Sequence, residues 1–178
     1  LRKVVLYIAQ SLDGYIAGEG GDLGWLDMAA REGEDYGYGE FIKSVDTVIM
    51  GRKTYDKVMS FGIGFPHPDK KCYVISRKRR EAEGNPEFYG GNLGELVWRL
   101  RNEEGKDIFL DGGAEVVREF LERDLIDEYV ISILPVLIGS GTRLFLEHEI
   151  FLKLRLVSSR AYDSGLVQLR YERKHDCL

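Results

Sequence analysis

Residues 107–123 read DIFLDGGAEVVREFLER, and this stretch sets the fold class. Ile108, Phe109 and Leu110 form a short apolar run, the pattern of a strand covered on both faces. Beyond the Gly112-Gly113 pair the period changes. Val116, Val117, Phe120 and Leu121 recur at the i, i+1, i+4, i+5 spacing of one helical face. A strand, a tight turn and an amphipathic helix in that order form the repeating half of a parallel α/β sheet.

The same alternation extends in both directions. Residues 3–9 (KVVLYIA), 47–50 (TVIM) and 72–76 (CYVIS) are apolar runs suited to buried strands, and residues 93–102 suit a helix. Residues 13–24, rich in glycine and acidic side chains, read as a loop. Residues 35–44 predict a short helix with Asp35 near its start, where the helix dipole favours a carboxylate. Residues 128–137 form a further strand, followed by the loop IGSGT. Residues 152–157 and 166–173 alternate apolar and charged side chains around Asp163-Ser164-Gly165, as an antiparallel hairpin with one wet face does. The expected fold is a three-layer αβα α/β domain over residues 1–178, its sheet mixed and mostly parallel with a C-terminal antiparallel hairpin. Sheets of this kind bind ligands beyond the carboxyl ends of their strands.

Composition narrows the partners. A net charge of −5 argues against a nucleic-acid surface, which needs a concentrated positive field. No apolar run approaches the ~20 residues that cross a bilayer. The first 17 residues (LRKVVLYIAQSLDGYIA) pass through polar residues without a small-residue cleavage site, so they read as a strand rather than a signal peptide. Cys72 and Cys177 cannot supply a disulfide framework, which favours a reducing, cytoplasmic setting. His67, His148 and His175 lack metal-ligand spacing, so no metal is expected. A small molecule is the remaining partner class.

Three strand ends carry phosphate-compatible loops. Gly51-Arg52-Lys53-Thr54 follows TVIM, offering close backbone approach, two cations and a hydroxyl. Ser76-Arg77 ends CYVI with a second hydroxyl and cation. Gly112-Gly113 leads into the helix of residues 114–123, where free amides meet a positive helix end. Each loop alone is equally ordinary turn chemistry; three at one sheet edge are not. Neither GxGxxG nor GxxxxGK[ST] occurs, so neither a Rossmann fingerprint nor a P-loop is present.

VIMGRKTYD (residues 48–56) resembles the dihydrofolate reductase motif that delivers Gly-Arg-x-Thr to cofactor phosphates, and IFLDGGAEVVREFL (108–121) resembles its Gly-Gly turn and helix. SLDGYIA (11–17) and ISILPVLIGSGTRLF (131–145) are similar to the reductase domain of riboflavin biosynthesis. The resemblance implies NADPH along the strand ends. Ala9 would meet the nicotinamide carboxamide through its backbone, with Ile16 beside the ring. Arg52 and Thr54, in the loop shared with Gly51 and Lys53, would take phosphates. Ser76 and Arg77 would hold the 2′-phosphate, favouring NADPH over NADH. Gly112, Gly113 and the amides of Ala114 and Glu115 would cradle the pyrophosphate. An ungapped count back from Gly51 sets Asp35 where dihydrofolate reductases carry the acid that binds the pterin and assists protonation. That role implies a shielded carboxyl with a raised pKa; read from the residues alone, Asp35 is equally a capping carboxylate. Residues 34–41 (EDYGYGEF) depart from the dihydrofolate pattern. The implied activity is hydride transfer to a C=N or C=O group of a small pterin-, pyrimidine- or ribosyl-like substrate, by a homodimer. Its rivals are a true dihydrofolate reductase and a non-catalytic NADPH-binding module.

Overall fold

The computed structural model describes residues 1–78 and 80–174. His175 and Cys177 lie outside the described residues. The first half runs β1 (Val4–Ser11), β2 (Tyr15–Ala17), α1 (Tyr38–Ser44), β3 (Val45–Gly51), α2 (Arg52–Met59), β4 (Lys71–Ile75) and β5 (Pro86–Tyr89). The second half runs α3 (Leu93–Asn102), β6 (Asp107–Gly112), α4 (Ala114–Glu122), β7 (Glu128–Leu134), β8 (Thr142–Arg143), β9 (Leu154–Ala161) and β10 (Val167–Arg173). Eight strands form one sheet in the order β5-β4-β3-β6-β1-β7-β10-β9. The strands from β5 to β7 pair in parallel, while β10 runs antiparallel to β7 and β9. This is the mixed α/β sheet expected, closed by its hairpin.

Side-chain alternation along β6 assigns the layers. Ile108 and Leu110 point into the cluster built with Leu96, Val97 and Leu100 of α3 and Val117, Phe120 and Leu121 of α4. Phe109 points the other way, into the cluster with Phe41 and Ile42 of α1 and Tyr55 and Met59 of α2. Asp111 is the extra residue of a bulge, since Ile49 pairs with Leu110 and Met50 with Gly112, and its charge is felt at Tyr38 on the α1 face.

Several boundaries differ from the sequence reading, each for a local reason. α1 starts at Tyr38 instead of Asp35, because Gly37 at φ 83° takes the left-handed conformation and ends a turn first. β7 stops at Leu134, since Pro135 has no N–H to continue the ladder. Residues 15–17, expected in a loop, form β2 and pair with β8 through Tyr15–Arg143 and Ala17–Thr142. β9 runs on to Ala161, beyond the expected end at residue 157.

Candidate active site at the carboxyl edge of the sheet

β3 and β6 are paired neighbours, so the helices that follow them, α2 and α4, begin side by side. Asn92 caps α3, its Oδ1 accepting from the Glu95 amide at 3.2 Å. By contrast, α2 and α4 open on Gly51 and Gly113 with no side-chain cap. Their first-turn amides are therefore free to meet an anion, at the positive ends of two helices.

Contacts between the two turns show how tightly they converge. A Cβ on Gly51 would sit 3.0 Å from Val116 Cγ2 and 3.6 Å from the Gly113 amide nitrogen. A Cβ on Gly113 would sit 3.2 Å from Thr54 Oγ1. Gly112 takes φ 104°, a conformation that favours glycine, and the Gly112–Gly113 peptide is cis. Lys53 of α2 bridges to Glu115 of α4 at 2.9 Å, while Arg52 pairs with Asp56 at 3.0 Å. The hydrogen bond from Lys53 holds the Glu115 carboxyl below its ordinary range, and the charge of Arg77 adds to that effect. Arg77 follows Ser76 at the end of β4, where its charge is felt at Glu115. There Ser76 closes a turn, its Oγ accepting from the Lys78 amide at 3.1 Å and donating to the Lys78 carbonyl at 2.8 Å. Gly51, Arg52, Lys53, Thr54, Gly112, Gly113, Ala114 and Glu115 are consecutive parts of one surface, with Ser76 and Arg77 on its flank.

Ala9 stands beside a split in the sheet. β1 pairs with β6 only through Leu6↔Leu110, yet continues to Ser11 along β7. Beyond Leu6, then, β1 has a ladder partner on one side only, and a crevice opens between β1 and β6. Strands that part at their carboxyl ends make the usual binding crevice of an open α/β sheet. Ile16 is half-buried on β2 and packs against the α3–α4 core. Asp13 fixes the loop between β1 and β2, accepting from Ser11 Oγ at 2.6 Å, the Gly139 amide at 2.8 Å and the Ile138 amide at 3.2 Å. Those bonds, led by that of Ser11, hold its carboxyl below the ordinary range.

On the α1 side of the crevice lies a layer of aromatic and amide groups. Tyr7 stacks on Phe41 at 4.3 Å and meets the edge of Tyr38 at 5.8 Å. The Tyr7 hydroxyl donates to the Tyr36 carbonyl at 3.0 Å, and Gln168 Nε2 reaches that carbonyl at 3.1 Å and Ser132 Oγ at 3.1 Å. Asp111 faces this layer. Burial alone pushes its carboxyl up to about 6, and no other side chain offsets that cost. Burial, followed by the charge of Asp111, pushes the Tyr38 hydroxyl up to about 12.

Asp35 behaves differently from the expectation of a raised pKa. It is exposed, and its two oxygens accept from the amides of Gly37 and Gly39, each at 2.9 Å. Those bonds, led by the Gly37 amide, hold its carboxyl below the ordinary range. The shielded carboxyl of this site is Asp111, which the sequence reading passed over as part of the DGGA turn. A signal was present: Asp111 shares the parity of Phe109 and directly precedes the Gly-Gly turn. Among the described residues, no group of three or more His, Cys, Asp and Glu side chains is placed to hold a metal. No helix among them is long and apolar enough to cross a membrane.

Comparison with known proteins agrees with this architecture. Residues 65–168, more than half of the chain, match the family model of the RibD C-terminal domain. The chain is 44% identical over 180 residues to the uncharacterized protein YwjB of Bacillus subtilis (strain 168), covering 97% of this chain and 98% of that one. A Shewanella sp. PV-4 protein provisionally assigned to riboflavin biosynthesis superposes with a TM-score of 0.90 at 34% identity, over 97% of this chain and 99% of its own. The dihydrofolate reductase of Enterococcus faecalis, solved with NADP(H), shares the fold at a TM-score of 0.71 and 16% identity, over 97% of each chain. Sequence and architecture together make this chain a member of the RibD C-terminal domain family.

Proposed function

We propose that the protein is an NADPH-dependent reductase that delivers hydride to a C=N or C=O group of a small substrate. The reading resembles the 5-amino-6-(5-phosphoribosylamino)uracil reductases. The observation that carries it is the pair of uncapped helix starts at Gly51 and Gly113, packed against each other and flanked by Arg52, Lys53 and Arg77. A dinucleotide phosphate fits that surface: orphan amides, close glycine backbone and cations in one place. In this reading Gly112, Gly113 and the amides of Ala114 and Glu115 hold the pyrophosphate. Arg52, Lys53 and Thr54 hold its oxygens from α2, and Ser76 with Arg77 holds the 2′-phosphate. Ala9 and Ile16 border the nicotinamide beside the β1–β6 crevice. The bound cofactor supplies the hydride; the chain's share is orientation and one proton.

We assign that proton to Asp111. Its carboxyl is shielded and stays protonated to higher pH than an ordinary aspartate, which suits a general acid near neutrality. Asp35, the acid singled out by family resemblance, is the competing donor; in the present reading it shapes the turn that presents Tyr36 and Tyr38. We also infer a homodimer through the outer hairpin strand. All of β9 is solvent-exposed, including Leu154, Leu156 and Val157, an apolar set that a second copy would cover. Sedimentation of the purified chain at twice the monomer mass is the expected result, and a monomer at micromolar concentration would end that inference.

The test of the reductase reading is NADPH oxidation with a panel of dihydrofolate, cyclic imines and phosphorylated ribosylamino-pyrimidines. Turnover of a member other than dihydrofolate is expected. Turnover of dihydrofolate alone would make the protein a dihydrofolate reductase. NADPH binding without oxidation by any member would favour the non-catalytic module.

A further inference from the structure

We propose that the groove at the amino edge of the sheet, beside the end of α1, is a second ligand site, separate from the crevice and suited to a small dicarboxylate with an apolar body. It stands independently of the reductase reading.

Three neighbouring strands enter the sheet through a lysine. β4, β3 and β6 lie side by side, and Lys70, Lys43 and Lys106 come one, two and one residue before them. The three side chains line one groove of about 450 Å³ with Tyr38, Ile42 and His67. This edge is opposite the uncapped starts of α2 and α4, which follow the carboxyl ends of β3 and β6.

Part of this chemistry is structural. The Lys106 ammonium donates to the Lys43 carbonyl at 2.7 Å and the Lys70 ammonium to the Val45 carbonyl at 3.1 Å, so both cap the end of α1. Capping does not account for two buried groups. The Lys70 side chain is only 9% exposed, and its other partner among the described residues is Asp69, at a long 3.4 Å, through a carboxylate that is 73% exposed. An ammonium group has three N–H donors, so one is left over. A charge placed there is costly without a closer anion. His67 is 5% exposed, with its ring edge-on to Phe65 and Phe109 and no hydrogen bond from either ring nitrogen to any described residue. Burial, followed by the charge of Lys70, lowers its pKa, so the ring is neutral and keeps one donor.

Size, charge and spacing set the ligand class. A groove of this volume holds an organic molecule, and Tyr38, Ile42 and Pro66 give it an apolar wall. Among the lining residues, the ammonium groups of Lys43, Lys70 and Lys106 against the single Asp69 carboxylate leave an excess of two positive charges. Strands lie about 4.8 Å apart, so lysines that precede three adjacent strands are spread over roughly 10 Å of the edge. Two separated carboxylates match that spread, whereas one compact dianion would reach only part of it.

α1 connects the site to the crevice. The helix is seven residues long, about 10 Å at the rise of an α-helix, with Lys43 near one end and Tyr38 at the other. Phe41 stacks on Tyr7 at 4.3 Å, and Tyr38 meets the edge of Tyr7 at 5.8 Å. A ligand bridging the three lysines would tie the end of α1 to β4 and β6, and Tyr7 would register the restraint through both rings. That is the arrangement of an effector site.

The experiment follows the His67 imidazole and Tyr7 ring resonances of the full chain while isophthalate, benzoate or inorganic phosphate is added. NADPH affinity is measured on the same samples. Isophthalate is expected to shift the His67 signals saturably, at least tenfold more tightly than benzoate or phosphate, and to shift Tyr7 with the same midpoint. Lys70→Met is expected to weaken isophthalate binding at least tenfold, and the rim variant Lys43→Gln/Lys106→Gln severalfold, with NADPH affinity unchanged in both. The rim variant decides alone if Lys70→Met fails to fold. Absence of a saturable His67 response to isophthalate, unaltered binding in these variants, or competition between isophthalate and NADPH would overturn the site. Benzoate or phosphate binding as tightly as isophthalate would overturn the dicarboxylate assignment. Unmoved Tyr7 signals at saturation would overturn the coupling through α1.

Discussion

Asp111→Asn is expected to lower turnover about 100- to 1000-fold while leaving NADPH affinity unchanged, the size of effect a lost general acid produces. The companion variant, Asp35→Asn, is expected to cost much less, because that carboxylate is exposed and already occupied by two amides. The reverse ranking would return the proton to Asp35. A pH profile gives the sign independently. Asp111 donates only while protonated, so kcat/KM should fall with rising pH above about 6, and the fall should vanish in Asp111→Asn. Stability should also fall as the pH rises, over a lower window. The folded carboxyl sits near 6 against an ordinary value of 3.8, so the native state binds its proton more tightly than the unfolded chain does. Its contribution is therefore most favourable below pH 3.8, declines between 3.8 and about 6, and remains a fixed cost above that. The cost is on the order of 2–3 kcal/mol at most, since each tenfold change in proton affinity is worth about 1.4 kcal/mol. Asparagine keeps the shape and removes the charge, so Asp111→Asn should be as stable as wild type below about pH 3.8 and progressively more stable from there to pH 8. A variant both inactive and less stable at pH 8 would show that Asp111 serves structure.

The second large effect is on folding. Gly141→Ala should destabilise the chain by about 3 kcal/mol or more, lowering Tm by roughly 6–12 °C in a domain of this size. Gly141 takes φ 128°, and a Cβ there would lie 2.1 Å from the Ala17 carbonyl oxygen and 2.8 Å from the Gly18 backbone. Backbone on both sides leaves no flexible side chain to yield. The strain falls on the pairing of β2 with β8, which carries Ile16, and on the adjoining Asp13 staple. Gly139→Ala is the control: its φ is 78°, but no atom lies within 4 Å of its added Cβ. It should lose only the backbone contribution, about 1 kcal/mol. Thermal melts that rank the two variants equally would refute the packing account of this loop.

The fold was legible where a local period was long enough to read. Residues 107–123 showed both a buried run and a helical face, and β6 and α4 lie there. The hairpin was legible from its alternation, as β9 and β10 confirm. α2 was not assigned, because RKTYDKVM buries a single side chain, Tyr55, and presents an otherwise polar surface. β5, four residues beginning with proline, and the short β2 and β8 exist through pairings to distant segments that no local window contains. The phosphate-compatible loops were legible individually; their meeting depends on β3 lying beside β6, which only the sheet order supplies. Asp35 was visible by counting from Gly51, whereas its shallow, twice-bonded environment depended on the left-handed Gly37. Asp111 left one local signal, its place before the Gly-Gly turn two residues beyond Phe109. The burial that raises its pKa comes from neighbours far along the chain, and residue type alone does not encode it.

Whether the twin helix starts and their flanking cations hold NADPH is tested most directly by titrating the chain with NADPH and NADH and following quenching of Trp and Tyr fluorescence. Saturable binding of NADPH at least tenfold tighter than NADH is expected, with the preference largely lost in Arg77→Ala. Failure to bind either nucleotide would contradict the account, leaving Gly51, Gly113 and their neighbours as turns that join strands to helices.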